Sequence, residues 1–558
     1  MTKITPVVSL ILVFLIGSVS PAPAQTGLRL PSGILRQAAQ TAPQVPVPVP
    51  LPVPPPTASN DPRPRLAMTL DDAVKRALDQ NLDIAVQKID QQTYDVTLAS
   101  LRSVYNPTLN SLVSTATQKI ASNSTISGAA QTGDTITSGT VQFNGSLQQQ
   151  VPWHGGSFNV QLNNTRQTTT SLNALFNPSY TPLWSASYTQ PLLRNFSIDS
   201  NRQQILVTKI NQEISDLQLQ QTITNTIANV RNAYWDYVFA VQSVEVSRQS
   251  LLLAEELLKN NQAKVDIGTM APIDVVQAQS QAAAQRGTLV TAEGTMRTAE
   301  IALKRLIVSG TTDPAWTSAI DPVDRPDFRP ETVDLVSATQ RALSARTDVQ
   351  QARKTLEANA ITMKLLQDQT HPQADLITRY ATTGQGGTRF ETTGNGVNRV
   401  TTEIIPGGYS DALSTLLRQR LPAWSFAVNF SYPLGMSAAQ ASVARARIQQ
   451  NQIDVQLKQI ELQITSDVSN ATVQVENAAE RVQAAQAARD FAQQQLDAEN
   501  SKFAVGISTN FLVVQAQRDF ETARNNELQA ILAYRKALVE FERVQQTGNA
   551  GNITVISR

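Results

Sequence analysis

The chain has 558 residues, enough for several domains, and only 16% of them are charged, with a net charge of +1. That balance excludes an electrostatically driven nucleic-acid binder, which needs a basic surplus. The absence of cysteine excludes a disulfide framework, a thiolate metal site, a cysteine nucleophile and a lipid anchor on cysteine.

The N-terminus reads as an export signal. Lys3 supplies the positive start, residues 6–19 ("PVVSLILVFLIGSV") form an apolar run too short for a comfortable span, and Ala22-Pro23-Ala24 gives an A-x-A cleavage pattern. Residues 1–24 are therefore expected to be removed, leaving Gln25 first. Within 25–65, "QVPVPVPLPVPPP" (44–56) favours extended polyproline II and forbids helix, so this stretch reads as a linker. No later run approaches 18 apolar residues. An exported chain of this kind is expected in the periplasm, secreted, or in the outer membrane as a β-barrel.

The rest of the sequence is duplicated. "LDDAVKRALDQNLDIAVQ" from Leu70 matches "LVSATQRALSARTDVQQA" from Leu335, and at the same offset Pro107 falls on Pro372. "YTQPLL" (188–193) parallels "FSYPLG" (430–435), and "AKVDIGTMAPIDVVQAQ" from Ala263 parallels "SKFAVGISTNFLVVQAQ" from Ser501. Four matches in one order define two tandem repeats, 66–310 and 332–546. Each repeat follows one plan. A helix of about 35 residues reaches Tyr105 or Gln369, and a Ser/Thr/Gly-rich stretch follows (107–191 or 372–433). A long helix comes next (197–267 or 436–505), then a turn, then a helix of about 35 residues (272–306 or 510–545). At 1.5 Å per residue the long helices reach about 100 Å, and the two shorter helices of each repeat add up to the same length. Apolar seams in steps of four and three run through Leu219, Ile223, Ile227, Val230, Tyr234 and through Ile453, Leu457, Ile460, Ile464, Val468, as in coiled coils. The other helix faces are Gln, Asn, Thr and Ala, which suits a wetted surface.

The Ser/Thr/Gly-rich stretches alternate with period two. Phe426, Val428, Phe430 and Tyr432 fall on one face, as do Trp184, Ala186 and Tyr188, and Phe158, Val160 and Leu162. Aromatics near the strand ends suit a membrane barrel, although each segment alone also fits a half-buried soluble sheet. The intervening "GAAQTGDTITSG" and "TTGQGGTRFETTGNGVN" read as exposed loops. Gly384–Gly387 lacks a following Lys-Ser/Thr, which argues against a phosphate loop. His154 and His371 are not in metal-ligand spacing and read as surface or turn residues. No nucleophile, base or metal constellation converges, so no enzyme, cofactor or metal is expected.

Together, "TLDDAVKRALDQNLDI", "TQPLLR", "NAYWDYVFA", "VDIGTMAPIDVVQAQ" and "FAVGISTNFLVVQAQ", in this order and spacing over residues 66–546, resemble the TolC-like outer membrane efflux protein family. The resemblance implies an α plus membrane β-barrel fold. Three protomers share one outer-membrane barrel, four strands each, continued by a periplasmic α-helical barrel. Pro107, Pro191, Pro372 and Pro433 then mark helix-to-strand junctions, 311–331 a mid-periplasmic belt, and 547–558 a tail. The implied function is passive conduction from an inner-membrane pump, of efflux or type I secretion type. The implied partners are further copies of the chain, a periplasmic adaptor (membrane fusion) protein, the pump and outer-membrane lipid, with no nucleic acid. A periplasmic or secreted coiled-coil structural protein is the alternative.

By the same resemblance the two repeated turns form a periplasmic tip for adaptor docking, with Gly268, Thr269, Asp274, Gly506, Ile507, Ser508 and Thr509. Gly268 and Gly506 suit the helix ends, Pro272 a first helical position, and Thr509 or Ser508 a cap. Asp274, Leu512 and Gln515 are the candidate pore constriction. Leu512 and Gln515 stand where some relatives carry acidic residues, and Phe503 and Ser508 where some carry a tyrosine–arginine latch. The tip is therefore expected to close by packing and neutral hydrogen bonds. The stretch 108–190 is about twice what a strand pair needs, given strands of 9–11 residues. Either an additional hairpin folds outside the four-strand plan or the barrel has more strands; the shorter second repeat favours the first.

Overall fold

A computed structural model describes residues 63–546 apart from 123–127, 130–132, 326–327, 394–399 and 436. The expected signal, the linker up to residue 62 and the tail lie outside the described residues. In chain order the first repeat holds β1 (Arg65–Met68), α1 (Leu70–Gln80), α2 (Leu82–Arg102), β2 (Thr108–Ala121), β3 (Thr135–Gln150), β4 (Ser157–Thr169), β5 (Phe176–Pro191), α3 (Ser200–Asp266) and α4 (Pro272–Ile307). A connecting segment carries α5 (Pro314–Thr317) and β6 (Ala319–Pro322). The second repeat holds α6 (Leu335–Ala345), α7 (Thr347–Asp368), β7 (Gln373–Thr383), β8 (Gly386–Thr393), β9 (Val400–Ile405), α8 (Tyr409–Leu417), β10 (Pro422–Ser431), α9 (Ala438–Ala504) and α10 (Asn510–Gln545). Among the described residues no helix is long and apolar enough to cross a membrane.

The two long helices, α3 and α9, have 67 residues each, about 100 Å. The shorter helices line them end to end: α1, α2 and α4 flank α3, α7 and α10 lie between α3 and α9, and α6 packs on α9 and α10. Toward the strands the order across the layer is α2, α3, α7, α9, and toward the opposite end it is α4, α3, α10, α9. The layer is thus four helices wide along its length.

The first helix of each repeat is broken where one continuous helix was expected. Asn81 caps both sides of the break: its backbone turns extended (ψ 128), and its side chain accepts from the N–H groups of Asp83 and Ile84. Its own amide donates to the Leu306 carbonyl at 3.0 Å. At the same repeat offset Arg346 is extended (ψ 131), and its guanidinium holds Asp348 (2.6 Å) and Asp467 (3.3 Å).

Between the stacked short helices sits a clamp. β1 and β6 pair in parallel against Tyr234, Trp235, Tyr237 and Val238 of α3, with Leu303 and Ile307 of α4 completing the core. The Tyr234 hydroxyl lies 3.0 Å from the Met68 carbonyl and 2.8 Å from the Asp324 carboxylate, and Tyr237 donates to the Ile320 carbonyl at 2.5 Å. Beneath the ladder Lys304 and Glu300 form a buried ion pair at 2.7 Å, with Arg63 3.1 Å from the same carboxylate.

The strands form one antiparallel sheet in the order β10-β7-β5-β4-β3-β2, with β8 and β9 continuing beside the end of β5. Two expectations are corrected here. The additional hairpin, β3–β4, does not fold outside the sheet; it is inserted between β2 and β5 and paired in continuous register on both sides. The described part, 382–393, of the glycine-rich stretch expected as an exposed loop is not simply one. Gly386 and Gly387 are buried at the start of β8, where a Cβ on Gly386 would lie 2.4 Å from the Ala412 nitrogen of α8, and one on Gly387 (φ +125) 2.0 Å from the Pro178 carbonyl oxygen. Only glycine permits those approaches.

Tyr234→Phe is expected to leave the fold intact but cost about 1–3 kcal/mol, the usual penalty for depriving buried acceptors of a donor. A lowered midpoint in the thermal unfolding of helical signal checks it.

Candidate functional site

The sheet has two chemically opposite faces. Residues in register across an antiparallel sheet share a face, and neighbouring rows face opposite ways. One row runs Leu109, Leu147, Val160, Ala186, Tyr380, Trp424 from β2 to β10. The adjacent row runs Thr108, Gln148, Asn159, Ser187, Arg379, Ser425. The next, again on the polar side, is Asn110, Ser146, Gln161, Ser185, Ala381, Ala423. On the apolar side Phe158, Tyr188 and Phe426 join Trp424 and Tyr380 around a shallow depression. An apolar face backed by a polar, sparsely charged one is the pattern of a wall between lipid and water.

Among the described residues β2 and β10 are paired on one side only. Every residue of β10 is exposed, as is nearly all of β2. The flanking helices repeat this. On the free flank of α9, Ile448, Val455 and Leu462 are exposed in steps of seven, and on α2, Val86, Ile89 and Val96 are exposed in steps of three and seven. These are coiled-coil spacings without a partner among the described residues.

At the end of the helix layer remote from the sheet, α3 turns into α4 and α9 into α10. Gly268 (φ 77) and Gly506 (φ 78) end the long helices in the left-handed region. Thr269 closes the first turn through its N–H and hydroxyl on the Lys264 carbonyl, at 2.9 and 3.0 Å. Pro272 opens α4, with Asp274 in its first turn. In the second turn Thr509, not Ser508, is the cap, accepting from the Leu512 N–H. Ser508 instead donates to Glu499 at 2.7 Å, and Lys502 holds the other oxygen of that carboxylate at 2.6 Å. The Lys502 and Ser508 hydrogen bonds hold the Glu499 carboxyl below its ordinary range.

The two turns are joined inside the protomer by Asn261, Lys264 and Asn510, which the sequence did not single out, and by Phe503. Asn261 donates to Asn510 at 2.9 Å, both buried, and the Lys264 ammonium lies 4.0 Å over the Phe503 ring. The first contact is a neutral hydrogen bond; the second is a cation–π contact. Lys264 and Lys502 occupy the same repeat position, yet one meets an aromatic ring and the other a carboxylate. That shared lysine was the available signal, and the partner choice was not readable from it. Of the constriction candidates, Gln515 donates to Asp519 of its own helix at 2.8 Å, Leu512 is exposed, and Asp274 is half-buried with no side-chain hydrogen bond among the described residues. Ile267, Ile507 and Phe511 leave an exposed apolar rim on these turns.

The junction prolines stand at the sheet's helix-proximal end. Pro107 and Pro372 precede β2 and β7, Pro191 ends β5, and Pro433 follows β10. His154 lies in the tight turn between β3 and β4 (φ 54) and stacks on Phe196 at 4.4 Å. His371 belongs to the turn after α7.

A family model described as outer membrane efflux protein matches residues 148–308 and 338–544. No curated protein matches the sequence. Among solved structures the fold is similar to the CmeC outer membrane channel of Campylobacter jejuni, at 14% identity and a TM-score of 0.59, covering 86% of this chain and 86% of that one. It is similar to the outer membrane protein VceC of Vibrio cholerae, at 12% identity and 0.58, covering 85% and 95%. It is also similar to the open state of the MtrE outer membrane channel of Neisseria gonorrhoeae, at 16% and 0.56, covering 85% and 88%.

Asn510→Ala leaves the buried Asn261 amide without its acceptor and is expected to loosen the joined turns by about 1–3 kcal/mol; faster proteolysis at 505–509 reads this out. A lowered carboxyl pKa stabilises the fold above the group's ordinary range, and the effect is lost as pH falls through the folded value. Cleavage at this turn is therefore expected to accelerate in acid, and Glu499→Gln to remove that acid-dependent part.

Proposed function

The chain belongs to the outer membrane efflux protein family, and on that premise we propose that it is one protomer of a homotrimeric exit duct through the periplasm and outer membrane. Family membership and the fold likeness support an outer-membrane efflux channel. The trimer rests on the free edges. β2 and α2 form one edge of the protomer, β10 and α9 the other. Each edge helix carries exposed apolar residues beside its strand: Val96, Ile89 and Val86 on α2, and Ile448, Val455 and Leu462 on α9. An edge of one copy therefore complements the opposite edge of the next, a head-to-tail contact that closes into a ring. Pairing β10 with a neighbour's β2 also removes the exposed strand edges.

The duct acts without chemistry. Lipid meets the apolar row through Trp424 and Tyr380, and water meets the polar row through Gln148, Asn159 and Arg379. Substrate diffuses through water between an inner-membrane pump and the outside. The remote turns form the periplasmic tip, whose apolar rim of Ile267, Ile507 and Phe511 offers an adaptor protein a surface. Pro107, Pro191, Pro372 and Pro433 are the junctions where helix gives way to barrel strand. Asp274, Leu512 and Gln515 remain the proposed constriction. The single observation that carries the reading is the separation of apolar and polar rows that runs from β2 to β10 at the helix-proximal end of the sheet. A coiled-coil structural protein has no use for such a sheet.

Detergent extraction of outer membranes, followed by oxidation of a chain carrying Ile89→Cys and Val455→Cys, is expected to yield a covalent trimer. A monomer in the soluble fraction overturns the reading. Ile507→Asp combined with Phe511→Asp is expected to keep the trimer but reduce co-purification of the adaptor at least tenfold, about 1.4 kcal/mol.

A further inference from the structure

We propose that the β3–β4 hairpin is part of the membrane wall, so that each protomer contributes six strands instead of four and three copies close an eighteen-strand barrel. The proposal rests on the trimeric-duct reading and goes beyond it, since the family resemblance implies twelve strands.

Three independent observations carry it. The hairpin is paired on both sides without a break: fourteen residues of β3 with β2, and eleven of β4 with β5, from Ser157↔Thr189 to Gln167↔Ser179. Its side chains keep the same two faces as the rest of the sheet. Val141, Phe143 and Leu147 of β3 and Phe158, Val160 and Leu162 of β4 continue the apolar side, which turns polar only toward the far end at Asn164 and Arg166, while Gln142, Asn144, Ser146 and Gln148 line the other. A hairpin folded over an aqueous mouth gains nothing from that separation. Its turn is also bonded to the helix–strand junction. Gln190 donates to the His154 carbonyl at 2.8 Å, Gln149 to the Tyr105 carbonyl at 2.9 Å, and Asn201 at the start of α3 to Gln150 at 2.7 Å.

The perimeter argues the same way. Strands 4.7–4.9 Å apart, tilted 35–45° from the barrel axis, each occupy about 6–7 Å of circumference. Four strands span about 25 Å and six about 38 Å. The helix layer below is four helices wide, and at 8–10 Å between axes it spans about 32–40 Å. Six strands therefore match the helical wall they stand on, whereas four fall short by about a quarter or more. The resulting barrel is about 36 Å across between backbones, against about 24 Å for twelve strands. The membrane portion then imposes no narrowing of its own, and selection by size falls to the tip.

The chain lacks cysteine, so single-cysteine variants report one site each. Full-length Phe143→Cys, Gln142→Cys and Phe426→Cys carry an environment-sensitive fluorophore in phosphatidylcholine vesicles containing nitroxide-labelled lipid. Labels at Phe143 and Phe426 are expected to be quenched alike by the lipid and several-fold more than at Gln142, with iodide giving the reverse order. Val160→Cys serves as the second hairpin probe if the first variant assembles poorly. Lipid quenching at Phe426, with all hairpin labels answering only to iodide, overturns the six-strand wall and leaves the duct standing. No lipid quenching at Phe426 overturns the duct reading itself.

Discussion

The structure depends on a matching of lengths. A helix of 67 residues with a narrow apolar seam is stable only if something covers that seam from end to end. No single short helix does so. Two in succession must, and wherever they abut, the cover is interrupted. The chain meets this interruption with its densest core. Tyr234, Trp235 and Tyr237 come from the uninterrupted helix, and the β1–β6 ladder bridges the gap between the ends of the short ones. Asn81 ties the two short partners together by capping one and donating to the last turn of the other. The buried Lys304–Glu300 pair, with Arg63 on the same carboxylate, holds the ladder to α4. Without that clamp the layer would have a hinge at mid-height.

A second matching, of widths, governs how helices hand over to strands. A helix takes up more perimeter than a tilted strand, so in the proposed duct a wall of one strand per helix would narrow at the membrane. Inserting one hairpin between β2 and β5 restores the width without adding a helix. The hairpin needs only a tight turn at its lower end, and His154 and Gly155 provide it with positive φ. The same logic reaches the free edges. Apolar residues spaced by seven on α9 and by three and seven on α2 lie beside unpaired strands, so one act of association covers both.

The remote turns show how duplication permits divergence. Both end in a left-handed glycine and both present a lysine four residues before it. In one copy that lysine meets Phe503 of the other hairpin; in the other it meets Glu499 of its own helix. The cross-hairpin contacts, Lys264 on Phe503 and Asn261 on Asn510, thus come from asymmetry laid over a symmetric frame. A tip built this way can loosen between hairpins while each turn keeps its own hydrogen bonds.

Much was legible in the sequence because it was local or repeated. Period-two alternation marked Trp184, Ala186 and Tyr188 as one face of a strand, steps of four and three marked the helix seams, and glycine and proline marked the turns. Repetition at constant offset then exposed the two-repeat plan. What tertiary structure alone decided was partnership. Nothing in residues 135–169 says whether that hairpin lies within the sheet or outside it, because alternation fixes a strand's faces but not its neighbours. Gly386 and Gly387 read as loop until the Pro178 carbonyl and α8 were seen against them. "NAYWDYVFA" read as a motif without a role until β1 and β6 were found beneath its hydroxyls. In each case the deciding contact joins residues far apart in the chain. Local periodicity determines what a segment can form, and only packing among segments selects which pairing covers the most apolar surface.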